Sequence, residues 1–235
     1  MTTIACAWNA RARDNDPFGV NLVRASRNGT VPLFGVMEVN GNRAPIQRFA
    51  KTYGYDIVTG EGEIGGSSQL LVRTDAARII NSGVIQISTP WWGPKGKRID
   101  GRAFPWVAVE FDDGRELLGI LAHLIWGPYR VRNWPAHVAE FRALRRFVEA
   151  RHSIDILMPG DLNQPASRRG LGSMQAFARQ IGGHIIHTGA SVDYGIFRPA
   201  PRPQHLGRPV VIDGDVGSKF GSDHPSAYYA IGAAL

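Results

Sequence analysis

Short apolar runs rich in Val, Ile and aromatic residues alternate along this chain with amphipathic runs, and that alternation is its strongest constraint on fold. Strand-like segments fall at 2–8, 31–36, 67–73, 79–88, 103–112, 116–123, 154–159, 184–187, 191–198 and 226–231. Helical patterns cover 17–27, where Asp16 can cap and Pro17 can occupy the first turn, then 44–53, 135–151 and 167–181. In the third of these, Val138, Phe141, Leu144, Arg145 and Val148 fall near one face, with Arg142 and Arg146 elsewhere. Asp112-Asp113-Gly114 lies between two strand runs as a hairpin signal, so part of the sheet is antiparallel. Many strands with a few intervening helices favour two packed sheets covered by helices. With no internal repeat and no long Pro/Gly/Ser linker, residues 1–235 read as a single domain.

At 43% hydrophobic and 20% charged residues, a chain of this length can bury a sizeable core. Disorder, collagen and coiled coil are excluded. No apolar run approaches the ~18 to 20 residues of a membrane span. The N-terminus has no basic segment followed by an apolar segment and cleavage site, so a cytoplasmic location is expected. The single Cys6 excludes an intramolecular disulfide and a cysteine-rich zinc site.

Charge points to the partner. There are 27 Lys plus Arg against 20 Asp plus Glu, a net +7, and all but Lys51, Lys95, Lys97 and Lys219 of the basic residues are Arg. The stretch 129–208 is the most Arg-rich. Guanidinium forks suit phosphate oxygens, so an anionic partner is expected.

Candidate chemistry sits at strand ends. Asn9 follows Trp8, Glu38 closes Leu33-Phe34-Gly35-Val36-Met37, and His123 ends the apolar run 117–122. Taken singly, a strand-end Glu is more often a solvated terminus than a ligand, and a lone His there is usually a hydrogen-bonded core or rim residue. Gly160-Asp161-Leu162-Asn163 is sharper, because period-two spacing points Asp161 and Asn163 the same way if the strand persists. A carboxylate and an amide together can hold an attacking water and an oxyanion. Asp193-Tyr194 lies within the apolar strand 191–198, and Ser222-Asp223-His224 precedes the last one. An Asp-His pair beside other carboxylates can combine metal binding with a general base.

In order, Trp8-Asn9, Glu38, His123, Gly160-Asp161-Leu162-Asn163, Asp193-Tyr194 and Ser222-Asp223-His224 resemble the endonuclease/exonuclease/phosphatase superfamily, nearly end to end. Residues 55–58 and 65–73 are similar to its third and fourth strands, and Arg102 stands where an arginine often opens the strand before the His-bearing one. The resemblance implies a four-layer α/β/β/α sandwich, with two packed mixed sheets flanked by helices and the site at one end. It implies Glu38 as the principal Mg²⁺ ligand (with Mn²⁺ as a substitute), Asn9 beside it as ligand or phosphate contact, and Asp223 supporting the metal or His224. Asp161 and Asn163 would orient the nucleophilic water, Asp193 a catalytic His, and His224 would be general base or phosphate contact. His123 would protonate the leaving oxygen or bind the scissile phosphate.

Two departures stand out. Met37 replaces the Gln that usually precedes the metal-binding Glu, removing a supporting hydrogen-bonder. Arg11 and His123 replace the Asp and Tyr of the abasic-site branch, closer to the deoxyribonuclease I or phosphodiesterase branch.

Some patterns are decoys. Residues 60–65 match G-x-G-x-x-G, but the following 66–73 reads as strand where a dinucleotide loop needs a helix. His184-Ile185-Ile186-His187 has metal-like spacing, yet on a strand its rings face opposite ways.

On the substrate side, the loop carrying Trp91, Trp92, Lys95, Lys97 and Arg98 either stacks bases and straddles a backbone or folds its indoles onto the core. Arg168 and Arg169 follow the Gly-Asp-x-Asn motif, and Arg198, Arg202 and Arg208 follow the Asp193 strand, making a phosphate-tracking rim. The leading expectation is a Mg²⁺-dependent nuclease with DNA favoured over RNA. Alternatives are a phosphomonoesterase or phospholipid phosphodiesterase of the same superfamily, and a catalytically silent nucleic-acid-binding protein.

Overall fold

The computed structural model describes residues 2–10, 18–39, 42–59, 68–88, 91–92, 98–99, 102–124, 134–170, 172–190, 192–201, 209–216, 224 and 226–233. In chain order the strands are β1 (Thr2–Asn9), β2 (Leu33–Met37), β3 (Tyr55–Thr59), β4 (Gln69–Arg73), β5 (Ala77–Ser88), β6 (Trp91–Trp92), β7 (Arg98–Ile99), β8 (Arg102–Phe111), β9 (Glu116–Ile120), β10 (Ala122–His123), β11 (Asp155–Asp161), β12 (His184–Ile186), β13 (Asp193–Arg198), β14 (Pro209–Val216) and β15 (Ala227–Ala233). The helices among these residues are α1 (Phe18–Ala25), α2 (Arg43–Tyr53), α3 (Trp134–Glu149) and α4 (Met174–Gln180).

One sheet runs β14-β15-β1-β2-β4-β3 and the other β12-β13-β11-β9-β8-β5, with β10 also on β11. Both are mixed, because β1 with β2 and β9 with β11 are parallel pairs among antiparallel neighbours. Strand alternation sorts the apolar side chains into three layers. Ala5, Ala7, Leu33 and Leu70 face Val107, Val109, Leu117 and Leu157 between the sheets. Cys6, Trp8, Phe34 and Leu71 point the other way, against Leu22 of α1 and Ile46 and Phe49 of α2. Trp106, Ile120 and Met158 likewise meet Leu144 and Val148 of α3 and Phe177 of α4. The order helix, sheet, sheet, helix is the expected sandwich. Between the sheets a bare backbone is needed at Gly35, where a Cβ would meet Leu121 Cδ1 at 2.5 Å.

Strand direction gathers the motifs. Parallel strands β1 and β2 end at Asn9 and Met37, with Glu38 next in the chain, and parallel β10 and β11 end at His123 and Asp161. Antiparallel β13 and β15 begin at that same edge, so Asp193 pairs with Asp161 and Ala227 with Ala7.

Several local expectations needed correction. The 116–123 segment is split, with Leu121 between β9 and β10. The helix expected at 167–181 starts only at Met174, because the Ser173 side chain accepts the Ala176 N–H at 3.1 Å and caps it there. In α3 the buried polar face carries His137 and Glu140, while Arg145 is exposed and pairs with Glu149 at 2.6 Å. Arg198 is no rim residue. It is only 6% exposed and donates to the carbonyls of Arg151, His152 and Ile154 just beyond α3. β14 was not anticipated, because Pro209 and the Asp213-Gly214-Asp215 run break any alternation along it. Among the described residues, no helix is long and apolar enough to cross a membrane.

Candidate active site

Asp161, the last residue of β11, lies at the centre of the gathered residues and is 1% exposed. Its Oδ1 accepts the Asn163 backbone N–H at 2.9 Å, and its Oδ2 accepts from Asn9 Nδ2 at 3.1 Å. Its own backbone N–H donates to Met37 Sδ at 3.5 Å. Burial and then the Asp193 charge raise the carboxyl to about 6, against the opposing effects of His224, Asn163 and Asn9.

The glycine before it is required by geometry. Gly160 has φ 152°, and a Cβ there would sit 1.8 Å from the Ala122 carbonyl oxygen. The missing side chain lets β10 close on β11 and sets His123 beside Asp161. Past the strand the chain turns sharply: Asn163 has φ 50°, and its Nδ2 donates to the Leu124 carbonyl at 2.9 Å. Glu38 has φ 52° just beyond β2, a left-handed conformation that costs a non-glycine residue about 1 to 3 kcal/mol and turns its side chain toward His123.

His123 Nε2 lies 3.3 Å from Glu38 Oε1 and 3.9 Å from Asp161 Oδ2. Burial, then the Arg102 and His224 charges, pushes this imidazole down to about 3. The ring is therefore neutral near pH 7, and it sits beside the Glu38 carboxylate as an uncharged imidazole. Opposite it, His224 Nδ1 meets Asp193 Oδ2 at 2.9 Å and Asp161 Oδ2 at 3.7 Å. Asp193 is held from behind by Thr188, whose hydroxyl donates to the Asp193 carbonyl at 2.5 Å.

Asp161, Asp193 and His224 each offer a ligand atom within 4.8 Å of the other two. With Glu38 and the Asn9 amide alongside, the donors are mostly hard oxygens in a buried setting that itself resists two negative charges. This set fits a divalent cation such as Mg²⁺, which would supply the missing counter-charge.

No family model matches the chain, and no curated protein matches it significantly. Solved structures do. The human Nocturnin catalytic domain superposes with a TM-score of 0.69 at 13% identity, covering 99% of this chain and 94% of that one. An endonuclease/exonuclease/phosphatase family protein from Leptotrichia buccalis gives 0.68 at 11% identity, covering 98% and 100%. A mannosyl-6-phosphatase from Bacteroides thetaiotaomicron gives 0.65 at 14% identity, covering 98% and 100%. The chain has the endonuclease/exonuclease/phosphatase fold.

On the endonuclease/exonuclease/phosphatase fold, the motif residues Asn9, Glu38, His123, Asp161, Asn163, Asp193 and His224 form one connected group. Arg102 is engaged within the protein. It pairs with Glu140 Oε1 at 3.3 Å, and its terminal nitrogen bonds the carbonyls of His123 and Leu124. Arg168 and Arg169 are exposed in the loop after Asn163. Trp91, Trp92 and Arg98 belong to the antiparallel ribbon β6–β7, of which the backbone is described. Arg11, Lys95, Lys97, Arg202, Arg208 and Asp223 lie outside the described residues.

Sequence reasoning missed two supports of this group. Glu140 is fully buried at a helical interval from His137, Leu144 and Val148, and an acid on that apolar face was a readable signal. Gln164, adjoining the Gly-Asp-x-Asn motif, accepts the Met174 N–H at 2.7 Å and donates to the Gly172 carbonyl, while its own carbonyl accepts the Tyr194 hydroxyl at 2.8 Å.

Proposed function

We propose that this protein is a divalent-metal-dependent hydrolase of phosphodiester bonds in nucleic acid, with DNA favoured over RNA. The observation that carries this reading is the Asp161–Asp193–His224 cluster facing the Glu38–His123 pair across one buried site. Glu38, Asp161 and Asn9 would hold Mg²⁺, with Asp223 assisting, and the ion supplies charge neutralisation at the scissile phosphate when bound.

The chain's own residues carry the proton chemistry. Asp193 anchors Nδ1 of His224 and leaves Nε2 to take a proton from the attacking water or to hold a phosphate oxygen. Asp161 accepts hydrogen bonds from Asn9 and the Asn163 backbone, which fix its carboxylate to orient that water. Neutral His123 donates an N–H to a non-bridging or leaving oxygen. Arg168 and Arg169 supply charge for the flanking phosphates, with Arg11, Lys95, Lys97 and Arg98 as further cations and the Trp91 and Trp92 indoles as stacking faces for bases.

A second reading is a phosphomonoesterase, supported by the similarly folded mannosyl-6-phosphatase. Supercoiled plasmid, single-stranded DNA, RNA and sugar or inositol phosphates offered in parallel separate the two. Plasmid nicking with Mg²⁺, abolished by EDTA and by Asp161→Ala and His224→Ala, is the expected result. Release of phosphate from monoesters with no cut in any polynucleotide overturns the nuclease reading.

A further inference from the structure

A groove of about 350 Å³ lies between α4 and β12, away from the acidic cluster. Gln175, Arg179, His184 and His187 line it over an apolar floor that includes Ala178 and Ile185. No carboxylate is among its described lining residues. Its charged group is a guanidinium, and two imidazoles and an amide add further N–H donors. The Arg179 Nε donates to the Gln175 carbonyl at 3.2 Å, tying that guanidinium to the helix while its terminal nitrogens remain donors. The His184 ring packs edge-on against Phe197, with centroids 5.7 Å apart. His187 lies just past the end of β12, so strand alternation no longer fixes its direction, and both histidines are among the residues lining the groove.

A planar guanidinium beside N–H donors, with no acid among the described lining residues, is the chemistry that selects a phosphate oxyanion. The groove's position adds a second argument. Ile186 pairs with Gly195 in the β12–β13 register, and Thr188, next to His187, bonds the carbonyl of Asp193. The His187 end is thus tied to the strand that delivers Asp193, and helix and strand backbones hold the lining.

We propose that this groove is a second phosphate subsite, which takes a backbone phosphate of the same polyanionic substrate beyond the scissile one. The substrate assignment rests on the phosphodiesterase reading above; the anion site itself does not.

The test uses the full chain in EDTA, so that no cleavage intervenes. Inorganic phosphate titrated into the wild type should move the imidazole NMR signals of His184 and His187, and Arg179→Ala should abolish the response while Arg179→Lys keeps part of it. Binding of a short single-stranded oligonucleotide should weaken about tenfold in Arg179→Ala, and the slope of log affinity against log salt should become shallower by about 1. A matching melting temperature shows that the variant is folded. Unmoved histidine signals, or an unchanged salt slope in Arg179→Ala, overturn the proposal. If phosphate moves both histidines but the wild type with Mg²⁺ cuts no phosphodiester, the groove stands as an anion site and the catalytic reading falls.

Discussion

The sulfur of Met37 accepts the backbone N–H of Asp161 at 3.5 Å, joining the last residue of β2 to the last residue of β11 across the two sheets. Met37, at the position where the family resemblance leads one to expect glutamine, still supports the backbone of Asp161, through a softer acceptor. Met37→Leu keeps the volume and removes that acceptor, leaving a buried N–H unmade. Unfolding free energy should fall by about 1 to 2 kcal/mol in urea titration, and Mg²⁺ affinity should drop with it. Met37→Gln should retain both. Equal stability for leucine and methionine would show that the contact contributes nothing.

Glu140 acts on the site through Arg102, which holds the carbonyls of His123 and Leu124, the latter shared with Asn163. Removing one partner of a buried ion pair costs about 3 to 5 kcal/mol, so Glu140→Ala should melt far below the wild type. Glu140→Gln keeps a hydrogen-bonding shape and should stay folded, with kcat reduced about tenfold and KM little changed. A rise in KM at constant kcat would assign the pair to substrate binding instead.

The pH behaviour of the metal-free protein follows from Asp161. Its folded pKa of about 6 lies above the unfolded value, so the fold binds this proton more tightly than the unfolded chain does. That contribution is fully present below roughly pH 4 and is lost as pH rises through 6. Asp161→Asn mimics the protonated form. In EDTA it should be more stable than the wild type by about 2 to 3 kcal/mol at pH 7.5, a shift of about two units, with the gap closing toward pH 4. Added Mg²⁺ should raise the wild-type melting temperature and leave Asp161→Asn nearly unmoved. Parallel stability curves from pH 4 to 8 would refute the assignment.

Gly160 is set by contact. With a Cβ 1.8 Å from the Ala122 oxygen, Gly160→Ala must separate β10 from β11 and move His123 away from Asp161. The expected loss is about 3 kcal/mol or more by thermal denaturation. Gly114, at a hairpin turn with no atom within 4 Å of an added Cβ, should tolerate Ala far better despite its φ of 77°. Equal losses at the two positions would sink the close-approach argument.

Much of this was legible along the chain. Period-two runs located most strands, apolar periodicity located α1, α2 and α3, and strand-end polar residues nominated Asn9, Glu38, His123, Asp161, Asn163, Asp193 and His224. These signals are local, because side-chain direction in a strand or helix follows from backbone geometry over a few residues. Capping competition was harder to read: Ser173 won over the earlier start expected for α4 because the Gln164 side chain binds Met174 from outside the helix.

Partnerships across long sequence separations came only with the packed sheets. Asn9 meets Asp161 across 152 positions and Met37 meets it across 124. Arg198, read along the chain as a rim cation, became an internal clasp once α3 ended beside β13. Arg102 likewise found Glu140, and His184 and His187 found one groove. Residue type and spacing set which groups a site can contain. Whether a charge faces water, a carbonyl or another charge depends on desolvation and on what the next layer places opposite it, and those follow from tertiary packing.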